Sequence, residues 1–322
     1  MPPPRWGIAR RLFAIDILTM AFVIALGGGA AAQAVQAARV SDWPVVVMAC
    51  AAIAVVIPLL GWLRTHLDVA PMRVLHDWSF AFYVYVIYRV VLLQAGPGWS
   101  GRVFDAWLID ADRWMFGVAP TVWLMRLAHP IVTEVLQVAY SMFYLLPLAV
   151  ALEIYASGRE WRFRQWAFVC GCGFFASYAG YLIMPAVGPR FTLHTLEATA
   201  RELPGLWLTP GLREFVDAAG MVPSGLSAGE ALRLAPRDAF PSGHTLVTLL
   251  SIAWAWRYRL SVRWVVTGVG ALLLIGTVYL RYHYVADVLA GAALAILCLA
   301  LAPLLHAWLA GHLGTLDADR TA

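Results

Sequence analysis

The chain contains no lysine, and charged residues of both signs make up only 13% of its 322 residues. Soluble domains usually have about 25% charged and about 45–50% apolar residues, whereas this chain is 61% hydrophobic. Its 23 basic residues are all arginine, they are scattered, and the net charge is only +4. The sequence therefore has no basic tract that would indicate a nucleic-acid partner. These shortages exclude an ordinary soluble protein and indicate a polytopic membrane protein.

Cysteine is also scarce. The four cysteines lie inside apolar stretches, which favours buried free thiols over disulfides or metal ligands. Cys170 and Cys172 are separated by one residue, which differs from the usual spacing of zinc ligands. We therefore expect no metal and no cofactor. The cysteines are Cys50, Cys170, Cys172 and Cys298.

Long apolar runs, by contrast, are abundant. A helix needs about 20 apolar residues to cross a bilayer core of about 30 Å. The first run could also be a signal peptide, but its length and the runs that follow favour a span. We predict an all-α fold: a polytopic membrane helical bundle with an interfacial helix, in one integral membrane domain over 1–322. The predicted spans, about eight by this length rule, are 12–35, 43–63, 76–96, 131–155, 164–185, 242–257, 262–280 and 284–309.

Two long connections separate these spans. In residues 97–130, Asp105, Asp110 and Asp112 alternate with bulky apolar residues. This pattern predicts an amphipathic helix on the membrane surface, with the aspartates on its solvated face. Residues 187–240 are rich in proline and glycine, and we predict an ordered loop that covers the active site, with short helices near 211–219 and 227–234.

The arginines are distributed unevenly between the two sides of the predicted bundle. The side that holds the N-terminus receives most of them, including those of 156–163 and 258–261, whereas the short loop 36–42 carries only Arg39. The arginine-rich side is expected to be cytoplasmic. We therefore predict a protein of the bacterial inner membrane whose opposite side faces the periplasm or the exterior.

Three segments bring polar residues to that opposite side. The fifth span ends at YLIMPAVGPRF, the sixth begins at PSGHT, and YLRYHYVADVLAG joins the last two. Ionisable residues this close to the hydrocarbon are costly and usually functional. The candidate site residues are Arg190, Ser242, Gly243, His244, Arg281, His283 and Asp287.

Part of this set suits the binding of an anion. Ser242 is a favoured N-cap residue, and the first turn of a helix has free N–H groups and the positive end of the dipole. Gly243 lets a ligand approach the backbone closely. Arg190 can hold phosphate oxygens through its planar guanidinium group. Arg281 could bind phosphate in the same way or anchor the chain at the membrane interface.

The rest of the set suits phosphoryl transfer. His283 and Asp287 are four residues apart, so on a helix they would share a face. The carboxylate would then hold one ring nitrogen and leave the other free to attack phosphorus. His244 would protonate the leaving oxygen as a general acid. Each feature alone also fits a turn, a helix salt link or an interfacial anchor, but their agreement in spacing and side favours a site.

These segments resemble a known family. FPSGHT and TVYLRYHYVADVLAG are similar to the second and third signature motifs of the type 2 phosphatidic acid phosphatase superfamily, and DADRWMFG and YSMFYLLP are more loosely similar. The resemblance covers about 165–300, the implied catalytic core. It implies that His283 is the nucleophile with Asp287 as its partner, and that His244 is the general acid. It also implies that Ser242 and Gly243 bind phosphate.

Two positions depart from the family pattern. Gly276 and Thr277 stand where the third motif usually has Ser-Arg, so Arg281 is the candidate replacement. Ile183 stands where the first motif usually has a lysine, and Arg190 follows a proline instead of preceding one. MPAVGPR is similar to the first motif of the inositolphosphotransferase-like branch, which includes inositol phosphorylceramide synthases.

Three functions remain open at this level. The first is a lipid phosphatase, with water as the acceptor of the phosphoryl group. The second is a headgroup transferase, with an alcohol such as inositol or a lipid as the acceptor. The third is a lipid-binding or transport protein that has the same fold without catalysis. All three have a lipid phosphate as partner, and none indicates an oligomeric state.

Overall fold

The computed structural model describes residues 11–37, 42–95, 102–223 and 225–317. These residues form helices joined by turns, and none of them lies in a β-strand. The all-α prediction is therefore confirmed. Arg39, the arginine of the predicted short loop, lies outside the described residues.

The helices follow one another with short connections. The first half has α1 (Ala14–Ala37), α2 (Trp43–Leu67), α3 (Ala70–Gln94), α4 (Asp105–Phe116), α5 (Pro120–Trp123), a 3-10 helix (Leu124–Leu127), α6 (Pro130–Ser141), α7 (Leu145–Ala156) and α8 (Glu160–Ile183). The second half has α9 (Pro189–Thr192), α10 (Leu196–Glu202), α11 (Thr209–Ala219), α12 (Ala228–Leu234), α13 (Gly243–Arg257), α14 (Arg263–Tyr279) and α15 (Val285–Leu313). The two short helices predicted in the long loop are α11 and α12.

Several of these helices are long and apolar enough to cross a membrane. They are α1 over Ala14–Ala34, α2, α8 and α15, and α6 with α7 forms a fifth candidate that is bent by 48°. Pro147 lies in the first turns of α7 and has no N–H for the carbonyl four residues earlier, which accounts for the bend. The described residues thus contain four or five candidate spans, and the count of eight stays a prediction.

The other predicted spans are helical but shorter or more polar. α3 carries Arg73, Asp77 and Arg89 among its apolar residues. α13 has 15 residues and α14 has 17. At 1.5 Å per residue they are about 22 and 26 Å long, less than a bilayer core of about 30 Å.

The described residues separate into two compact units. One comprises the described parts of Met1–Gln94, Ile154–Phe175 and Ile296–Ala322, and the other comprises the described parts of Ala95–Glu153 and Ala176–Ala295. Every candidate site residue belongs to the second unit. The four cysteines are free thiols, and Cys50 and Cys170 are buried, as expected.

The first unit contains buried polar contacts between its helices. Asp16 of α1 accepts from the ring of His76 of α3 at 2.9 Å, and both side chains are buried. Arg64 of α2 lies 2.7 Å from Asp77, which also accepts from the hydroxyl of Tyr155 at 3.1 Å. These pairs join α1, α2 and α3 at specific points in otherwise apolar surroundings.

The substitution His76→Ala is expected to lower the midpoint of thermal unfolding in detergent. It leaves the Asp16 carboxylate buried without its imidazole partner, a loss that typically costs about 3–5 kcal/mol. Arg73→Ala is the matched control, because it breaks an exposed pair with Asp68 (2.9 Å) that should contribute about 1 kcal/mol or less. Equal midpoints for H76A and R73A would contradict this role of the buried pair.

Candidate active site

Backbone hydrogen bonds join the three segments that carry the candidate residues. Ala239 N–H donates to the Ala186 carbonyl at 3.0 Å, which ties the segment before α13 to the one after α8. Ser242 N–H donates to the Asp287 carbonyl at 3.0 Å, which ties the start of α13 to the start of α15. The second unit therefore brings the three segments together, as the alternation of the predicted spans between the two sides of the membrane led us to expect.

The start of α13 is built as the sequence predicts. Ser242 is the N-cap, and its hydroxyl accepts from Thr245 N–H at 3.2 Å. A Cβ on Gly243 would lie 2.5 Å from the Tyr181 hydroxyl, and one on Gly291 would lie 2.4 Å from the Ser242 carbonyl. Gly291 needs glycine because a side chain there would clash with the backbone of α13, whereas a side chain at Gly243 would require the Tyr181 hydroxyl to move.

The His283 ring makes two different kinds of contact. Its Nδ1 lies 3.0 Å from the Ala239 carbonyl and 3.4 Å from Asp287 Oδ2, and its Nε2 lies 3.3 Å from His244 Nδ1. A carbonyl oxygen can only accept a hydrogen bond, so Nδ1 carries the hydrogen. In the neutral ring Nε2 then has a free lone pair that points toward His244.

Asp287 meets His283 at the start of a helix rather than along one helix face. His283 precedes α15, and Asp287 lies in its first turn, where Oδ2 accepts from Tyr284 N–H at 2.9 Å. His283 itself is held by its N–H, which donates to the Thr277 carbonyl at 2.9 Å. The predicted pair therefore forms, but its geometry comes from a helix cap and a turn.

Aromatic rings of α6 and the turn after it surround His244. The Tyr140 ring stacks on the His244 ring with centroids 4.6 Å apart, and the Phe143 ring is 4.3 Å away. On its other face Tyr140 stacks on Tyr282 at 4.1 Å. Tyr140 and Phe143 were not assigned from the sequence, although both lie in YSMFYLLP, a stretch with a loose family likeness.

The two candidate arginines contact carboxylates of the long loop. Arg190 Nη1 lies 2.5 Å from Asp217 of α11, and its guanidinium carbon is 4.9 Å from the Tyr282 ring centre. Arg281 Nη2 lies 2.6 Å from Glu202 of α10. Burial is the largest single influence on the pKa of Arg190 and lowers it, but the Asp217 carboxylate and the rings of Tyr282 and Tyr140 together raise it by more, so the pKa is raised and the group stays charged.

Arg281 has a strained backbone. Its φ is +68°, in the left-handed region that a residue other than glycine rarely occupies. Its side chain is fully buried, and Nη1 donates to the Thr199 hydroxyl at 3.1 Å. Arg281 is therefore held inside the second unit by contacts with Thr199 and Glu202.

The sequence predicted that all three aspartates of α4 lie on a solvated face. Two of them do not. Asp105 and Asp112 are only 4% and 1% exposed, whereas Asp110 is exposed. Burial raises the pKa of both buried carboxyl groups, while hydrogen bonds from backbone N–H groups lower it by less. The prediction was wrong for these two because the helix turns them toward the backbone of the site segments.

Glu134 of α6 anchors the long loop. Its carboxylate accepts from the N–H groups of Leu206, Trp207, Leu208 and Thr209 and from the Thr209 hydroxyl, at 2.6–3.2 Å. These donors lie in 206–209, where α11 begins. The loop is thus fixed between α10 and α11, the helices that supply the carboxylate partners of the two arginines.

A cavity of about 400 Å³ lies beside the ion pair of Arg190 and Asp217. Its polar lining includes Arg190, Thr199, Arg213, Glu214, Asp217 and Tyr282. The lining carries charges of both signs, and the volume is within the usual range for small-molecule sites, about 300–1,000 Å³.

His194 of the long loop is a further histidine, and it is half-buried. Its Nε2 lies 3.2 Å from the Thr121 hydroxyl. Burial and the charge of Arg281 lower its pKa to about 4, so the ring is neutral at neutral pH. It contacts Thr121 instead of joining the pair of His244 and His283.

Comparison with known proteins identifies the family of the chain. Residues 106–301 match the PAP2 superfamily, that of the type 2 phosphatidic acid phosphatases, over more than half of the chain. A PA-phosphatase related-family protein of Dictyostelium discoideum is 28% identical over 187 residues, which is 52% of this chain but only 31% of that protein. No solved structure shows a significant match. Because the family match covers more than half of the chain, the chain belongs to the PAP2 superfamily.

Proposed function

We propose that the chain is an integral membrane enzyme that cleaves a lipid phosphoester through a covalent phosphohistidine at His283. Membership of the PAP2 superfamily points to lipid phosphatase-type chemistry. The observation that carries the proposal is the His283 ring, whose Nδ1 is held by the Ala239 carbonyl and whose Nε2 faces a second imidazole at 3.3 Å.

In the first step, the lone pair of His283 Nε2 attacks phosphorus and the bond from phosphorus to the lipid oxygen breaks. The leaving oxygen takes a proton from the His244 imidazolium. Asp287 and the Ala239 carbonyl stabilise the positive charge that develops on the His283 ring. The products are the lipid alcohol, a phosphohistidine and a neutral His244.

In the second step, neutral His244 removes a proton from water or an alcohol, and the resulting oxygen attacks phosphorus. The bond from phosphorus to Nε2 breaks, and both histidines return to their starting states. Ser242 and Gly243, at the start of α13, stabilise the phosphate oxygens in both steps.

Phosphate binding requires an exchange of partners at the two arginines. Asp217 and Glu202 occupy Arg190 and Arg281 in the resting structure. A lipid phosphate would replace these carboxylates as the partner of the guanidinium groups. The long loop that carries both carboxylates would therefore shift when substrate binds.

A phosphate-labelled lipid is expected to label the protein at His283, and the label should be stable in base and lost in acid. His283→Ala should abolish labelling and turnover.

His244→Ala should slow cleavage of the lipid by about 10²–10⁴-fold, the usual contribution of a general acid. Its activity on p-nitrophenyl phosphate should fall much less, because that leaving group needs no proton. His194→Ala is the matched control and should keep activity.

Normal turnover in both H283A and H244A would contradict the mechanism and favour a non-catalytic lipid-binding or transport protein. A loss of activity in H194A equal to that in H283A would show that histidine loss acts through folding. The unfolding midpoint of each variant in detergent separates these outcomes.

A headgroup transferase is the second candidate, favoured by the cavity beside Arg190. Glu214 and Asp217 can accept hydrogen bonds from hydroxyl groups, and Arg213 and Thr199 can donate them, so the cavity suits a polyhydroxylated acceptor. This agrees with the likeness of MPAVGPR to the inositolphosphotransferase-like branch.

The two candidates differ in the acceptor that the enzyme needs. A phosphatase should release free phosphate from a lipid phosphate in water alone, measured with purified enzyme. A transferase should require an added alcohol such as inositol or a diacylglycerol-like lipid, and Arg213→Ala should raise the acceptor KM severalfold. Phosphate release that no acceptor changes, with R213A equal to wild type, would exclude the transferase.

The site is proposed to face the periplasm of a bacterial inner membrane. In α13, His244 lies in the first turn and Arg257 in the last. Arg259 and Arg263 follow Arg257 at the same end of the helix. Because arginine-rich ends are retained on the cytoplasmic side, the His244 end would be the external one.

A membrane-impermeant maleimide is expected to label Trp207→Cys in intact cells, because residue 207 is 84% exposed in the long loop of the site. Arg257→Cys, which is also at an exposed position, should react only after permeabilisation. Wild type gives the background of the native cysteines. The reverse pattern would place the site on the cytoplasmic side.

A further inference from the structure

Helix α4 carries two buried carboxylates that the proposed reaction does not use. Asp105 and Asp112 lie about two turns apart, so they project from one face of the helix. Leu108 lies between them and packs against Ala186 and Tyr284 in an apolar cluster. This face of α4 therefore lies against the segments of the candidate site.

Asp105 joins two of those segments. It accepts from Val187 N–H at 3.0 Å and from Gly188 N–H at 2.9 Å, just before Arg190. The same carboxylate accepts from the Tyr284 hydroxyl at 2.9 Å, next to His283. One side chain thus contacts both the arginine segment and the segment of the proposed nucleophile.

Asp112 holds the start of α15. It accepts from Val285 N–H at 3.0 Å and from Ala286 N–H at 2.9 Å. Asp287 accepts from the preceding N–H, that of Tyr284, at 2.9 Å. The first turn of α15 is therefore bound to two carboxylates, one local and one from a helix far away in sequence.

These contacts are more than ordinary capping. A local serine or aspartate is enough to cap a helix, but here the acceptors come from about 80 to 180 residues away, by the separations of the bonded pairs. Both carboxylates are on one helix, so the length of α4 sets the spacing between the segments that they hold. Donor groups on the backbone also require an acceptor at these positions, which an apolar side chain would not supply.

We propose that Asp105 and Asp112 are positioning residues that set the placement of His283 relative to Arg190. The kinetic consequence rests on the phosphoryl transfer proposed above. Small displacements of a reacting group from its productive position can cost about 100-fold in rate. The two aspartates would therefore affect kcat without touching the substrate.

The test compares D105N and D112N with D110N, which changes the exposed aspartate of the same helix. D105N and D112N are expected to lower kcat by about 10- to 100-fold with little change in KM, and to shift the acid limb of the kcat–pH profile, because His283 and Asp287 move apart. Tyr284→Phe removes one donor to Asp105 and should have a smaller effect in the same direction. D110N should match wild type.

A second measurement does not depend on turnover. Carbethoxylation of His283, followed by mass spectrometry, reports how accessible and nucleophilic its ring is, and amide exchange of 185–191 and 283–289 reports how firmly the segments are held. D105N and D112N should change both readouts at an unchanged oligomeric state, and D110N should change neither. If wild type has no turnover, the proposed function fails, yet these readouts still test the positioning. Wild-type carbethoxylation and wild-type amide exchange in both D105N and D112N would overturn the proposed positioning role.

Discussion

Buried carboxylates that accept backbone N–H groups hold the second unit in its observed arrangement. The N–H groups of 187–188 lie in a turn and those of 284–286 at the start of α15, so they have no partners within a helix, and an unpaired buried N–H is costly. Asp105, Asp112 and Asp287 accept from five such groups of 187–188 and 284–286. Glu134 does the same for the loop at 206–209. Turns and helix starts can therefore come close to one another without losing hydrogen bonds.

These carboxylates place several negative charges near a site that is proposed to bind an anion. Arg190 and Arg281 balance part of that charge, and in the resting structure each is paired with a carboxylate of the long loop. A buried guanidinium group without a partner would be strongly unfavourable. If phosphate replaces the carboxylate, the arginine stays paired before and after binding. The loop carboxylates then make the empty site stable and leave it able to accept an anion.

The sequence predicted the parts of this site that depend on local pattern. The N-cap at Ser242, the pairing of His283 with Asp287 and the convergence of three segments follow from residue type, spacing and alternation of spans. The partners that come from distant helices were not predictable, because no local pattern links Asp105 to Val187 or Glu134 to Thr209. For α4 the pattern was misleading, since aspartates two turns apart fit a solvated face as well as a buried one.

The contact between the two imidazoles limits what the resting structure can bind. With Nε2 of His283 only 3.3 Å from Nδ1 of His244, no phosphoryl group fits between them, because attack needs about 3–3.5 Å to phosphorus and the leaving oxygen needs a further hydrogen-bond length. His283 is held by the Ala239 carbonyl, Asp287 and its own N–H, whereas His244 is held mainly by aromatic faces. The Tyr140 ring lies within 20° of parallel to it, and such stacking contributes only about 0.5–1.5 kcal/mol. His244 is therefore the ring that can slide away to admit phosphorus, while the proposed nucleophile stays fixed.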